Sequence, residues 1–169
     1  MWPDAATRDA IAALARDVVK LAGGRVPRPE NTHLTLAFIG DVAATRVSIL
    51  QEIGAVAAHD AAPFTLALDR IGGFRDAGIA WLGAAATPLA LGELARRTNA
   101  ALAAAGFRSE RRPFHPHITL ARRCVRPPGA AAIAPVAWRV EGMTLVASML
   151  RHEGSCYREL AAWPFAATR

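Results

Sequence analysis

The chain has 169 residues, of which 53% are hydrophobic, and it carries a formal net charge of +6 at pH 7. This length fits one domain with a stable core, and the composition excludes an intrinsically disordered chain. No apolar run approaches the roughly 20 residues that a membrane span needs, so no membrane association is expected. Of the 20 basic residues 19 are arginine, and such a protein favours partners that carry phosphate, such as nucleic acid.

The spacing of apolar residues predicts three helices and several strands, separated by loops rich in glycine and proline. The helices are predicted over residues 4–21, 42–58 and 88–105. A first strand follows the loop at 26–31 and ends at Gly40, and the others are predicted over 63–71, 79–83, 117–123, 136–150 and 156–163. The interval 136–150 reads as one long or broken strand. Residues 107–113 are predicted to form a basic loop, and another loop begins at Pro127 and includes the alanines that follow.

The order of these elements predicts an α+β fold. The first half reads helix, strand, helix, strand, strand, and the second half reads helix, strand, loop, strand, strand. The sheets should be mostly antiparallel because several connections are hairpins. We expect one domain over residues 1–169 with two similar lobes, approximately residues 1–85 and 86–169, whose sheets are flanked by helices and separated by a cleft.

One short motif occurs twice. His-Leu-Thr-Leu-Ala at residues 33–37 returns as His-Ile-Thr-Leu-Ala at residues 117–121, a separation of 84 residues, about half the chain. Each copy alternates polar and apolar residues with the period of a half-buried strand. A single His-x-Thr-Leu is unremarkable and is usually structural, whereas two copies at half-chain separation favour a shared functional site. Two strands that meet would place His33, Thr35, His117 and Thr119 around one small volume.

These four side chains suit chemistry at phosphorus. Imidazole titrates near pH 6.5, so one histidine can act as a base while the other acts as an acid. Threonine hydroxyls donate neutral hydrogen bonds that can hold the oxygens of an anion. An in-line attack needs a base and an acid on opposite sides of the phosphorus, and two histidines related by a repeat provide that arrangement.

The doubled motif resembles the signature of the two-histidine (2H) phosphoesterase superfamily. Within it, residues 28–40 and 113–122 resemble the bacterial RNA 2′,3′-cyclic phosphodiesterases, also called 2′-5′ RNA ligase-like proteins, and residues 154–164 are similar to the last strand of that family. The resemblance implies a metal-independent enzyme without a cofactor that opens RNA 2′,3′-cyclic phosphate ends to a 2′-phosphate, with weak reverse 2′-5′ ligation. It also implies that His33 is the acid and His117 the base.

Two other functions stay open at this point. One is a phosphoesterase of the same superfamily that acts on a small cyclic nucleotide or a sugar cyclic phosphate. The other is a non-catalytic RNA-binding module, which the intact histidines and threonines in both copies argue against. An assay on RNA that ends in a cyclic phosphate, with a chelator present, would discriminate among the three.

The further candidates for substrate contacts are Arg122, His115, Phe38 and Tyr157. Arg122 and Arg123 follow the second motif, and strand parity alone does not choose between them. In the resembling family the residue that matches Arg122 contacts phosphate, so we predict that Arg122 binds phosphate. His115 is held in extended geometry by the proline after it. The remaining candidates are aromatic side chains that can stack on a base, Phe38 and Tyr157.

The other expectations concern metal, location and assembly. A metal site built from the histidines is discounted because no carboxylate lies nearby in sequence to orient them. Two isolated cysteines do not form a disulfide framework, which favours the reducing cytoplasm. The protein is expected to act as a monomer. Family members usually have an apolar strand that ends where Met1 stands. We expect the upstream reading frame to encode it; a stop codon or a polar sequence there would mean that this member lacks the strand.

Overall fold

The computed structural model describes residues 1–108, 112–151 and 154–166. Part of the predicted basic loop at 107–113 lies outside the described residues. The three predicted helices are present as α1 (Ala5–Ala22), α2 (Val47–His59) and α3 (Leu89–Ala104). Helix α1 begins at Asp4, whose carboxylate accepts hydrogen bonds from the backbone N–H and the hydroxyl of Thr7 at 2.9 and 2.6 Å. It ends at Gly23, where the backbone takes a φ of +71° that favours glycine.

Four strands form the larger sheet: β1 (Phe64–Phe74), β2 (Ile79–Gly83), β3 (His117–Arg122) and β4 (Ala131–Val140). Their spatial order is β3-β2-β1-β4, and every neighbouring pair is antiparallel. The predicted hairpin strand at 79–83 is confirmed to the residue. The predicted α+β class with mostly antiparallel sheets is also confirmed. Strands from both halves of the sequence share this sheet, so the sheets do not divide near residue 85.

A separate hairpin, β5 (Gly142–Arg151) with β6 (Gly154–Pro164), makes a two-stranded antiparallel sheet. The predicted strand at 136–150 is therefore two strands, which separate at Glu141. The predicted loop through the alanines after Pro127 is wrong in its second part, because β4 begins at Ala131. Alanine has a weak preference for strands, but Ala131 pairs with Ile71 of β1, so the ladder decides the conformation.

The first motif does not form a regular strand, which corrects the prediction for the residues before Gly40. Its only β-pairing within the described chain is a bridge from Leu34 to Ile118 of β3. Both main-chain groups of Leu34 are taken by Met1 on the other side, with hydrogen bonds of 3.0 Å in each direction. The same edge of β3 also pairs with Arg25. The chain between these two contacts leaves the edge, so it cannot continue a ladder.

The core lies beneath the pairing of the two motifs. Leu34 and Ile118 are both completely buried, and so are Leu120 of β3, Leu82 of β2 and Leu68 of β1. Helix α1 packs against β3 and β4. Within the described residues, no helix combines the length and the apolar character that crossing a membrane requires. The apolar side of each motif is therefore fixed in the core, and its polar side chains take the opposite side.

Candidate active site

The bridge between Leu34 and Ile118 brings the two motifs together in antiparallel register. Extending that register by one residue sets His33 opposite Thr119 and Thr35 opposite His117. Directly opposed residues of antiparallel chains have neighbouring side chains on the same face. Because Leu34 and Ile118 point into the core, the four polar side chains take the other face. His33, His117 and Thr119 are half-buried there, and Thr35 is exposed.

The two histidines are held in the same way. Nδ1 of His33 donates to the backbone carbonyl of Asn31 at 2.7 Å, and Nδ1 of His117 donates to the carbonyl of His115 at 2.8 Å. In each case the acceptor lies two residues earlier in the chain. A carbonyl only accepts, so the hydrogen of each neutral ring is on Nδ1 and Nε2 keeps its lone pair. Each histidine therefore has one ring nitrogen fixed and the other available for proton transfer.

The surroundings favour the neutral form of both rings. Burial lowers the pKa of His33, and positive groups nearby, among them Arg122 and His117, lower it further. Burial likewise lowers the pKa of His117, with contributions from His115 and Arg122. In each histidine the hydrogen bond to the backbone carbonyl acts in the opposite direction. An anion bound between the rings would stabilise their protonated forms.

A β-bulge sets the position of Arg122. Thr119 pairs with Trp81 and Ala121 pairs with Ala80, so β3 has one extra residue, Leu120, between these pairs. Leu120 and Ala121 are both completely buried, and alternation restarts with the exposed Arg122. Simple alternation predicts that Ala121 shares the face of His117 and Thr119. Because of the bulge, Ala121 does not. Arg122 takes that face instead, which is a common effect of a bulge.

Aromatic rings surround each histidine. The centroid of the His33 ring lies 5.1 Å from that of Trp2 and 4.9 Å from that of Tyr157. The His117 ring lies 5.1 Å from Phe74. The exposed His115 ring lies 4.8 Å from Trp81. Phe38 is 73% exposed. Tyr157 therefore lies beside His33, and the His115 ring lies 5.9 Å from that of His117.

The aromatic neighbours Trp2 and Phe74 were missed in the sequence, and so were two residues that act through the backbone. Asn31 supplies the carbonyl for His33, and its own Nδ2 donates to the carbonyl of Ser155 at 2.8 Å. Arg25 pairs with Arg122 through main-chain hydrogen bonds in both directions. The position of Asn31 two residues before His33, repeated by His115 before His117, was a signal that could have identified it. In the described part of the chain, no three His, Cys, Asp or Glu side chains gather as a metal-binding group.

The chain is similar to known proteins along most of its length. The model of the family "LigT like Phosphoesterase" matches the chain twice, over residues 2–81 and 82–157. An RNA 2′,3′-cyclic phosphodiesterase of Escherichia coli K12 is 34% identical over 145 residues, which cover 83% of this chain and 79% of that protein.

Solved structures show the same fold. The crystal structure of a phosphoesterase superposes with a TM-score of 0.85 at 30% identity, covering 98% of this chain and 94% of that one. E. coli LigT complexed with 3′-AMP superposes with a TM-score of 0.83 at 31% identity, covering 96% and 93%. With one family match in each half, two paired His-x-Thr motifs and this fold, the chain belongs to the LigT-like phosphoesterase family.

Proposed function

We propose that the chain is an RNA 2′,3′-cyclic phosphodiesterase that opens the cyclic phosphate at the end of an RNA and leaves a 2′-phosphate. The observation that carries the proposal is the pair of histidines, each fixed through Nδ1 and each opposite the other motif's threonine. The name of the E. coli relative supports this substrate class. We also propose a weak reverse reaction that joins a 5′-hydroxyl to the cyclic phosphate as a 2′-5′ bond.

The proposed reaction is an in-line displacement. Nε2 of His117 takes a proton from water, and the water oxygen attacks phosphorus. The bond from phosphorus to the 3′ oxygen breaks, and Nε2 of His33 gives that oxygen a proton. A 2′-phosphate and a 3′-hydroxyl result, and a second proton transfer through solvent restores both rings. The lowered pKa of His117 suits a group that must be neutral at the start of the reaction.

The remaining proposed roles concern the phosphate and the nucleotide. Thr35 and Thr119 donate hydrogen bonds to the non-bridging oxygens, and Arg122 stabilises the charge that develops on them. The bound phosphate anion raises the pKa of both rings, which favours the protonated form that an acid requires; the assignment of the acid role to His33 follows the family resemblance. We propose further substrate contacts from Phe38, His115 and Tyr157, the last of which lies against His33.

The proposal also covers the assembly of the protein and its location in the cell. We propose that residues 1–169 act as a single catalytic domain and as a monomer. A cytoplasmic location is supported by the two free cysteines, of which Cys124 is buried and Cys156 is exposed. No cofactor enters the proposed reaction, since proton transfer and hydrogen bonding by these side chains account for every step.

The test uses an RNA labelled at its 5′ end that terminates in a 2′,3′-cyclic phosphate. The expected result is conversion to a 2′-phosphate end, which resists an enzyme that removes only 3′-phosphates and is removed by a general phosphatase. Replacing either histidine by alanine should lower kcat/KM by roughly 10²–10⁴-fold. A 3′-phosphate product would contradict the assigned leaving group. An unchanged substrate at high enzyme concentration would refute the proposed function.

A further inference from the structure

Arg25 and Arg122 form an opposed pair beside the histidines. The N–H of Arg25 donates to the carbonyl of Arg122 at 2.9 Å, and the N–H of Arg122 donates to the carbonyl of Arg25 at 3.0 Å. Residues that exchange both hydrogen bonds are directly opposite, and their side chains lie on the same face. Because the bulge returns Arg122 to the face of His117 and Thr119, Arg25 takes that face too. Both arginines are exposed.

The Arg25–Arg122 pair carries an electrostatic cost. Like charges directly opposite each other on neighbouring strands are destabilising. In the described parts of the chain, neither Arg25 nor Arg122 makes an ion pair with a carboxylate. The two charges are therefore not neutralised by that part of the protein. An anionic ligand with two charged groups would relieve the repulsion and gain a contact from each guanidinium.

The backbone around the pair is built to hold it. Gly24 has a φ of +91°, and a Cβ there would lie 2.5 Å from the carbonyl oxygen of Arg122. Only glycine therefore allows Arg25 to approach β3 so closely. On the other side, the backbone N–H groups of Val125 and Arg126 both donate to the carbonyl of Ala22, at 3.0 and 3.1 Å. The end of helix α1 and the end of β3 are thus tied together, and Arg25 is placed by fixed backbone.

We propose that Arg25 binds the internucleotide phosphate on the 5′ side of the terminal nucleotide, while Arg122 faces the reacting cyclic phosphate. This inference rests on the proposed function and adds a contact to the RNA strand beyond its terminal nucleotide. Two phosphates one nucleotide apart suit two arginines that the backbone pairing sets directly opposite each other on one face. A nucleoside 2′,3′-cyclic monophosphate has only the reacting phosphate. The pair therefore favours RNA ends over small cyclic nucleotides.

The experiment compares two substrates that differ in one group. The first is a nucleoside 2′,3′-cyclic monophosphate, and the second is the same compound with a 5′-phosphate, which stands for the internucleotide phosphate. We expect kcat/KM to be higher for the second, and Arg25→Gln to reduce the ratio of the two values about tenfold, the low end for a charge-assisted hydrogen bond. With an oligonucleotide substrate, the slope of log kcat/KM against log salt should become shallower by about 0.7.

Arg96→Gln is the matched control, because it removes the same charge from an exposed arginine of α3 that is paired with Glu93 at 2.7 Å. It should leave both the ratio and the salt slope as in the unmodified protein. An unchanged ratio in Arg25→Gln, with a thermal midpoint equal to that of the control, would overturn the inference while hydrolysis itself supports the proposed function. If neither substrate is hydrolysed, binding is measured instead, with nucleoside 2′-phosphates that carry or lack a 5′-phosphate. The role of Arg25 is then decided by whether Arg25→Gln reduces the ratio of the two affinities.

Discussion

Asn31 connects the orientation of His33 to the hairpin of β5 and β6. The change Asn31→Ala removes the 2.8 Å hydrogen bond to Ser155 but keeps the carbonyl that accepts from His33. One partly buried hydrogen bond contributes about 1 kcal/mol, so the thermal midpoint should fall by about 2–4 °C for a chain of this size. If that energy serves to orient His33, kcat/KM should fall about fivefold.

The pH profile gives a readout that stability alone does not move. The bond to the Asn31 carbonyl raises the pKa of His33 against the effect of burial. Weakening this bond lowers that pKa, so less of the ring is protonated at a given pH. With His33 as the acid, the alkaline limb of the bell-shaped profile of kcat/KM should move to lower pH, and the acidic limb should stay.

Gln51→Ala is the matched control. Gln51 of α2 also donates from its side-chain amide to a β6 carbonyl, that of Leu160 at 3.2 Å, and it has no described contact with a histidine. Gln51→Ala should lower the thermal midpoint by no more than Asn31→Ala does, and it should leave the pH profile unchanged. Movement of the acidic limb in Asn31→Ala would make His33 the base and reverse the assigned roles. A profile like that of Gln51→Ala would refute the positioning of His33 by Asn31.

Four further predictions concern metal, the threonines, the histidine pair and the core. Activity should survive EDTA because the proposed steps use only proton transfer and hydrogen bonds; loss on chelation with recovery on adding a divalent metal would exclude this mechanism. Thr35→Ala or Thr119→Ala should lower kcat/KM less than alanine at either histidine; a folded threonine variant less active than both histidine variants would contradict the roles. The double histidine variant should be little less active than the poorer single histidine variant. Leu34→Ala should cost about 2–5 kcal/mol in urea unfolding, whereas Leu21→Ala, at a side chain that is 88% exposed, should cost far less; equal costs would argue against burial at the paired motifs.

Periodicity was a good guide where a segment buries one face along its length. The three helices follow from that pattern, since each buries one face against the core. The strand at 79–83 is predicted instead by the glycine-rich turn before it, and its residues 80–83 are all buried, so burial does not alternate along it. Periodicity failed where a ladder partner decides the conformation. Ala131 has little intrinsic preference for a strand but pairs with β1. Leu34 alternates as a strand residue should, yet the chain between the Arg25 pairing and the Leu34 bridge leaves the edge of β3, so no ladder forms.

The doubled motif was visible because it repeats, whereas its supports were not. The bulge at Leu120 depends on the pairing of β3 with β2, so no local pattern around Arg122 could indicate which face it takes. Arg25 lies 97 residues from Arg122, and Asn31 lies 124 residues from Ser155. Such contacts between distant segments arise from the topology, which single-sequence periodicity does not determine. The roles assigned to the site residues stay predictions until the variants are measured.

The distance along the chain between the two motifs has a consequence during synthesis. The first motif leaves the ribosome long before Ile118, its partner, has been made. Contacts of such separation form late, because the entropy of closing a long loop must be overcome first. Under the proposed mechanism, a nascent chain has one histidine and no acid–base pair until β3 has joined its edge. Hydrolysis of RNA ends then begins only when the fold is nearly complete, and unfinished or truncated chains are inert toward RNA.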